Sequence, residues 1–319
     1  MPPQRLAFEK EIYEMEELLA RLEAGANGQA AAGEEVRRIR RELVNLKRRI
    51  YSNLDAWQTV LVARHPERPQ TLDYIDLIFD EFVELHGDRA IGDDRALRCG
   101  LARLGDYRVM LIGHQKGHTL KERNECYYGC AHPEGYRKAL NKMCLAAKFR
   151  LPIICLIDTP GAFPGIGAEE RGQAQLIAAN LLEMSHLETP VICVVIGEGG
   201  SGGALGIGIG DRVSMLEHAY YSVISPEGCA GILWKVANEE TKPKAAEALK
   251  MTSKHLLRFG VIDAIIPEPV GGAHREHREA ANNLKTFLTR TLREVRSKPT
   301  DVLLEERYKK YRALGVMAG

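Results

Sequence analysis

No apolar run in the chain reaches the roughly 18 residues that a membrane-spanning helix needs. No charge of one sign dominates either. The 44 Lys and Arg face 43 Asp and Glu, a formal net charge of +1, so no bulk attraction to nucleic acid or to a membrane is expected. The first residues, Met1-Pro2-Pro3-Gln4-Arg5, lack the apolar stretch of a secretory signal. Seven cysteines, an odd number, lie mostly in apolar segments, as Cys155 and Cys193 do. That suits thiols serving as small core residues in a reducing compartment, the cytosol or an organelle entered through a removed transit peptide. A second short-spaced cysteine pair is missing too. Cys126 and Cys130, with His114, His118 and His132 nearby, supply one pair where a structural zinc site uses two, so ordinary loop thiols are expected.

What is present changes character along the chain. Apolar residues recur at helical spacing at Ile12, Met15, Leu19 and Leu22, and again at Val36, Ile39, Leu43, Leu46 and Ile50. With a polar turn over 25–33 between them, they predict an antiparallel helical hairpin that packs on the main body or on a partner. Two more helices are predicted over 54–64 and 72–85, the second capped by Thr71. From about Asp93 short apolar runs alternate with helices. Strands are expected at 98–104, 107–113, 152–158, 190–196, 212–216, 220–224 and 262–266. Helices are expected at 133–149, 169–186, 201–209, 226–234, 252–259 and 273–296. This alternation is that of an α/β fold. The division is an N-terminal helical region over 1–90, a core over 91–297 and a charged helical tail over 298–319.

The run Gly197-Glu198-Gly199-Gly200-Ser201-Gly202-Gly203-Ala204 follows one of the predicted strands. It satisfies three patterns at once. As a dinucleotide-binding loop it fails, because the helix after it is too short and too rich in glycine to be a crossover, despite Glu217 near the acidic position. As a nucleophile elbow, Ser201 needs a histidine oriented by a carboxylate; His218, His255 and Asp263 are available, but their spacing singles none of them out, and a helix-capping role for Ser201 is the simpler account. As an oxyanion hole, the N–H groups of Gly202 and Gly203 hold a developing negative oxygen where side chains would obstruct it. The same glycines would equally permit tight backbone packing. A second loop, Thr159-Pro160-Gly161-Ala162-Phe163-Pro164-Gly165, also follows a strand and favours the oxyanion reading if the two strands are neighbours. Glu169, Glu170 and Arg171 read as a charged first helical turn, and Lys116, Lys121 and Arg123 as a solvated basic loop.

Several segments together resemble one family. They are Leu61-Val62-Ala63-Arg64-His65-Pro66, His114-Gln115-Lys116-Gly117, Pro133-Glu134-Gly135-Tyr136-Arg137-Lys138-Ala139, the loop from Asp158 to Gly165, Gly167-Ala168-Glu169-Glu170-Arg171-Gly172-Gln173, the run from Gly197 to Ala204, Ser222-Val223-Ile224-Ser225-Pro226-Glu227-Gly228-Cys229-Ala230 and Ile266-Pro267-Glu268-Pro269. In that order they are similar to the alpha subunits of the bacterial and plastid acetyl-CoA carboxylase carboxyltransferase. The resemblance covers nearly the whole chain. The loop over 121–132, with Asn124-Glu125-Cys126-Tyr127-Tyr128-Gly129-Cys130, departs most from the family pattern, and no role is carried onto it.

The resemblance implies a crotonase-like fold, a spiral of ββα units. It implies transfer of a carboxyl group from carboxybiotin, tethered to a biotin carboxyl carrier protein, onto acetyl-CoA, giving malonyl-CoA for fatty acid biosynthesis. It also implies an obligate beta subunit bearing a zinc ribbon, with two copies of each subunit, and a biotin carboxylase upstream; this chain holds neither metal nor covalent biotin. By the same resemblance Gly202 and Gly203 serve the biotin ureido oxygen, with Gly161, Ala162, Gly199, Gly200 and Ala204 around the substrate. The partner's glycines serve the thioester oxygen, and released biotin takes the methyl proton, so no protein base is required. A bacterial cytosol or a plastid stroma is the implied location. Against this stand a lone crotonase-like hydratase or isomerase with Glu198 or Glu227 as base, a serine hydrolase built on Ser201, and a non-catalytic scaffold for a carrier protein.

Overall fold

The computed structural model describes residues 5–25 and 30–315. The chain opens with α1 (Lys10–Gly25) and α2 (Ala30–Tyr51). They run antiparallel, as the pairs Glu23–Arg40, Glu16–Lys47 and Glu11–Arg49 require. The turn expected over 25–33 lies in part outside the described residues, and from Ala30 the chain is already helical. Ile12, Leu43, Leu46 and Tyr51 close a small apolar cluster on Val62, so the hairpin seats on the main body. Tyr51 donates to the buried Glu9 carboxylate at 2.6 Å, and Arg275 reaches the same carboxylate at 3.0 Å. A buried acid thus ties the hairpin to the C-terminal half.

Next come α3 (Ala56–Ala63), started by Asp55 accepting the Gln58 N–H at 2.7 Å, and α4 (Thr71–Ile78). Thr71 is helical rather than a cap; its hydroxyl donates to the His114 carbonyl at 2.6 Å. The helix expected over 72–85 stops at Ile78, and Glu81–Glu84 is the edge strand β1. Its pairing explains why: Phe82 lies over Gly100, where a β-carbon would come within 2.5 Å of the ring, and Glu81 and Glu84 pair with Arg103 and Arg98 across the ladder.

The body is one mixed sheet. β2 (Leu97–Leu104) and β3 (Tyr107–His114) form an antiparallel hairpin beside β1. A short helix α5 (Leu120–Glu125), not expected from the sequence, and α6 (Pro133–Lys148) lead to β4 (Ile153–Thr159). Then follow α7 (Ile166–Glu170) and α8 (Gln173–His186), separate because Gly172 turns left-handed at φ +80° between them. After β5 (Val191–Gly200) come α9 (Ser201–Leu205), β6 (Arg212–Leu216) and β7 (Tyr220–Ser222). The remaining elements are α10 (Pro226–Leu233), α11 (Thr241–Leu249), α12 (Ser253–Arg258), β8 (Ala264–Ile266), α13 (His277–Arg296) and α14 (Thr300–Arg312). The helix α11 is also absent from the sequence expectation.

Strand order is β1-β2-β3-β4-β5-β6-β8, parallel from β3 onward. β4 and β5 are buried along their whole length, as central parallel strands are. β5 forks: residues 192–195 pair with β6, and 198–200 pair with β7. The forked end is the site described below. The tail is anchored rather than loose, since Arg307 is 1% exposed and holds Asp211 through two bonds of 2.8 Å. No described helix is long and apolar enough to cross a membrane.

Candidate active site

The two glycine loops meet because β4 and β5 are parallel neighbours, with Thr159 opposite Gly199. Their backbones touch. A β-carbon on Gly200 would lie 2.1 Å from the Pro160 carbonyl oxygen, and one on Gly203 would lie 2.5 Å from the Ala162 nitrogen. Both glycines are therefore required by close approach. Beneath them, Tyr136 donates its hydroxyl to the Gly203 carbonyl at 3.2 Å, and Asn180 bonds the carbonyls of Tyr136 and Gly206.

β5 continues as strand through Gly200, so the glycine run is half strand and half helix. Ser201 is the first helical residue, with Gly200 in the capping position, and it sits at φ +49°. A left-handed serine at a strand-to-helix junction is strained, by roughly 1–3 kcal/mol. The N–H groups of Ser201, Gly202 and Gly203 occupy the first turn and have no i−4 carbonyl within the helix to accept them. The helix expected over 201–209 ends at Leu205, too short for a dinucleotide crossover.

Among the expected substrate-contacting positions, the structure separates the open from the filled. Gly202 is half-exposed; the nearest atom to a β-carbon there is an Ile177 methyl at 3.6 Å. Gly161 and Ala162 are also half-exposed, although the Gly161 N–H is taken by the Thr159 hydroxyl at 3.1 Å. Gly199, Gly200, Gly203 and Ala204 are buried, Gly199 against the Tyr221 ring, Gly200 against Pro160, Gly203 against the Gly161–Ala162 backbone and Ala204 in the main core. They shape the loops from within. Beside Gly202 opens an apolar cavity of about 590 Å³ whose wall includes Leu205, Ile209, Val223, Leu256, Tyr311 and Leu314.

A second, polar cavity of about 330 Å³ lies by Pro160 and is lined by Arg64, Lys116, Asp158 and Glu198 among others. Lys116 belongs to no solvated loop: Nζ lies 2.6 Å from Asp158 Oδ1 and 2.5 Å from Glu198 Oε2. Lys121 is exposed, as expected, while Arg123 donates to the Gly117 carbonyl. Arg64 pairs with Glu198 at 2.7 Å and with Glu227 at 2.6 Å, and Tyr220 donates to Glu198 at 2.5 Å. Burial pushes the Glu198 carboxyl upward, but Lys116 and Arg64 outweigh it and hold the group at about 2. A carboxylate so tightly held is a poor proton acceptor near neutrality. Glu227 is engaged by the same arginine. The hydratase base is not there.

Nor does a triad form around Ser201. His255 bonds Thr252, His218 packs edge-on against Tyr51, and Asp263 accepts the Val213 N–H and pairs with Lys310. A fluorophosphonate is therefore expected to label the chain no more than it labels Ser201→Ala, as read by fluorescence in a gel; strong labelling lost in the variant would restore the hydrolase reading. Among the described residues there is no cluster of three or more His, Cys, Asp or Glu side chains placed to hold a metal. Cys126 is buried, and His132 stacks on Phe163 at 4.0 Å.

Sequence reasoning missed Arg64, Tyr136, Asp158 and Tyr220 as parts of this site. Arg64, Tyr136 and Asp158 lie in segments whose resemblance was noted, and Tyr220 lies just ahead of one, but only the fold brings them within bonding distance.

A family model described as acetyl co-enzyme A carboxylase carboxyltransferase-like matches residues 5–315. The chain is 61% identical over 311 residues to the acetyl-coenzyme A carboxylase carboxyl transferase subunit alpha of Rhodopirellula baltica, covering 98% of this chain and 97% of that one. It is 54% identical over 312 residues to the protein of the same name from Methylococcus capsulatus, covering 98% and 97%. Among solved structures, transcarboxylase 12S with methylmalonyl-coenzyme A and methylmalonic acid bound superposes with a TM-score of 0.54 at 22% identity, over 70% of this chain and 42% of that one. The beta subunit of P. aeruginosa geranyl-CoA carboxylase gives 0.56 at 15% identity, over 83% and 47%. The chain thus spans less than half of either structure, and these likenesses speak for the fold alone: the crotonase-like one, with its parallel-rich sheet.

Proposed function

The chain belongs to the acetyl co-enzyme A carboxylase carboxyltransferase-like family and acts as a carboxyl transferase alpha subunit, and from that premise we propose that its Gly202–Gly203 turn is the oxyanion site of transfer from carboxybiotin to acetyl-CoA. The observation that carries this reading is the first-turn N–H groups of α9, left without helical acceptors beside a cavity, in a site whose carboxylates are all engaged.

The residues present fit a flat apolar ring with one polar edge. Leu205, Ile209, Val223 and Leu256 offer apolar walls, and the open face of Gly202 gives access to the donors. Carboxybiotin, presented by a carrier protein, supplies the carboxyl group and a ureido oxygen that becomes negative as that group leaves. Gly202 and Gly203 donate to this oxygen, and the apolar wall keeps water from competing for the same N–H groups. The Gly161–Ala162 backbone, packed on Gly203, fixes the turn before reaction begins, so little reorganisation is needed when the charge appears. No side chain of the site acts as an acid or a base.

An alpha subunit works within a multi-subunit carboxylase. Its immediate partner is a beta subunit with a zinc ribbon that binds acetyl-CoA and serves the thioester oxygen; two copies of each form the assembly. A biotin carboxyl carrier protein and a biotin carboxylase deliver the carboxyl group, and the product, malonyl-CoA, feeds fatty acid synthesis in the cytosol.

Gly202→Val tests the reading. The new side chain has room at its β-carbon, yet its methyls cover the approach to the first-turn N–H groups. In the reconstituted complex kcat is expected to fall roughly 100-fold, the loss typical of one oxyanion donor, with an unchanged melting temperature. Wild-type turnover in the variant would show that the oxygen is held elsewhere.

A further inference from the structure

β5 carries extra residues where it passes Asp158. Ile157 faces Val195 and Thr159 faces Gly199, so a single β4 residue, Asp158, stands opposite residues 196–198 of β5. Such a bulge strips ladder partners from the longer strand. The Glu198 N–H is one of the groups affected, and Asp158 Oδ1 accepts it at 2.9 Å. Gly197 admits that carboxylate, since a β-carbon there would lie 2.5 Å from Asp158 Oδ1.

The same arrangement buries two acids together: Asp158 is 2% exposed and Glu198 6%. Glu198 also has Arg64 and Tyr220, and Glu227 balances Arg64. Asp158 has less. Among the described residues Lys116 is the one cation within ion-pair distance of it. Lys116 itself is covered by the turn after α5: Gly129, at φ +83°, has its bare face toward the Asp158 carbonyl and the Lys116 side chain, 2.9 and 3.0 Å from where its β-carbon would be. The segment over 121–132 thus covers one side of the pair, and its sequence disclosed no other role.

We propose that Lys116 is a positioning residue for carboxyl transfer: by bridging Asp158 and Glu198 it holds the bulge that sets the Gly202–Gly203 N–H groups against the Gly161 loop. Asp158 immediately precedes the loop from Thr159 to Gly165, and Glu198 lies just ahead of Ser201, so both arms of the site hang from this bridge. Without the ammonium, two buried carboxylates face each other, and the ready relief is for the strand ends to part. The inference rests on the function proposed above.

The experiment uses the complex of this chain with its beta subunit and, separately, the free chain. Lys116→Met is expected to lower kcat roughly 50-fold while the KM for acetyl-CoA stays within about twofold. Lys116→Met/Asp158→Asn is expected to recover to within about fivefold of wild type, because an amide oxygen still accepts the Glu198 N–H and the unpaired charge is gone. In the free chain, amide exchange read by mass spectrometry should rise about tenfold over residues 197–204 in the single variant, return in the double variant and stay unchanged over β2 and β3. A double variant as slow as the single one would overturn the proposal, for Lys116 would then act on substrate directly. Wild-type exchange in Lys116→Met would also overturn it, and so would exchange raised throughout the chain, which would make the lysine a general support. A wild-type complex that transfers no carboxyl group removes the functional reading instead, while the exchange comparison still decides the positioning.

Discussion

Alone, the chain will transfer no carboxyl group between biotin and acetyl-CoA above about one ten-thousandth of the rate of the complex with its beta subunit. Two oxygens acquire charge in the proposed reaction, the ureido oxygen and the thioester oxygen, and the donors proposed on this chain, those of the Gly202–Gly203 turn, serve one of them. Each oxyanion donor lost typically costs 100- to 1000-fold in rate, and in the proposed composite site losing the partner removes one whole set together with the surface that orients the second substrate. The measurement is radiolabelled or coupled-assay turnover of malonyl-CoA by purified chain, then by chain mixed with its beta subunit. Robust turnover by the chain alone would mean that it carries a complete site, and the composite reading would fail.

Gly203→Val is expected to abolish activity in the complex and to lower the melting midpoint of the chain by roughly 5 °C or more. From the sequence, this substitution is expected to obstruct an oxygen while sparing the fold. The structure changes that expectation. A β-carbon on Gly203 would meet the Ala162 nitrogen and the Gly161 carbonyl carbon, both at 2.5 Å, and neither backbone can swing away as a side-chain tip can. The two loops must separate, the Tyr136 bond to the Gly203 carbonyl is disturbed, and the donors lose their setting. Circular dichroism melts and kcat on the same preparation check the outcome. A variant that keeps both would show that the loops are not in close contact. Beside it, Gly202→Val isolates the loss of access from the loss of packing, because position 202 has space and position 203 has none.

Much of this was legible in the chain before folding was considered. The hairpin of α1 and α2, the strands from β2 to β6 and two glycine loops at strand ends follow from periodicity and residue type, whereas the meeting of those loops waited on β4 and β5 being neighbours. The misreadings have physical causes. Residues 79–85 carry apolar side chains at spacings that suit either period, and pairing with the open edge of β2 made 81–84 a strand. Lys116 looked solvated because nothing near it in sequence is acidic; Asp158 and Glu198 arrive from strands far along the chain. Glu198 looked available as a base, yet Lys116, Arg64 and Tyr220 surround it. Among the residues from Gly199 to Ala204, burial sets the half-exposed Gly202 apart from Gly199, Gly200, Gly203 and Ala204.

By itself the sequence determined the family, the alternation of strand and helix, and a turn from Gly199 to Gly203 that is glycine at every position but Ser201, because these depend on residue type and on order along one chain. Only the tertiary structure decided which glycines are open and which are filled, and which charges are spoken for. A glycine is free or packed, and a carboxylate is basic or inert, according to neighbours that arrive from other strands and helices, and no local pattern fixes who those neighbours are.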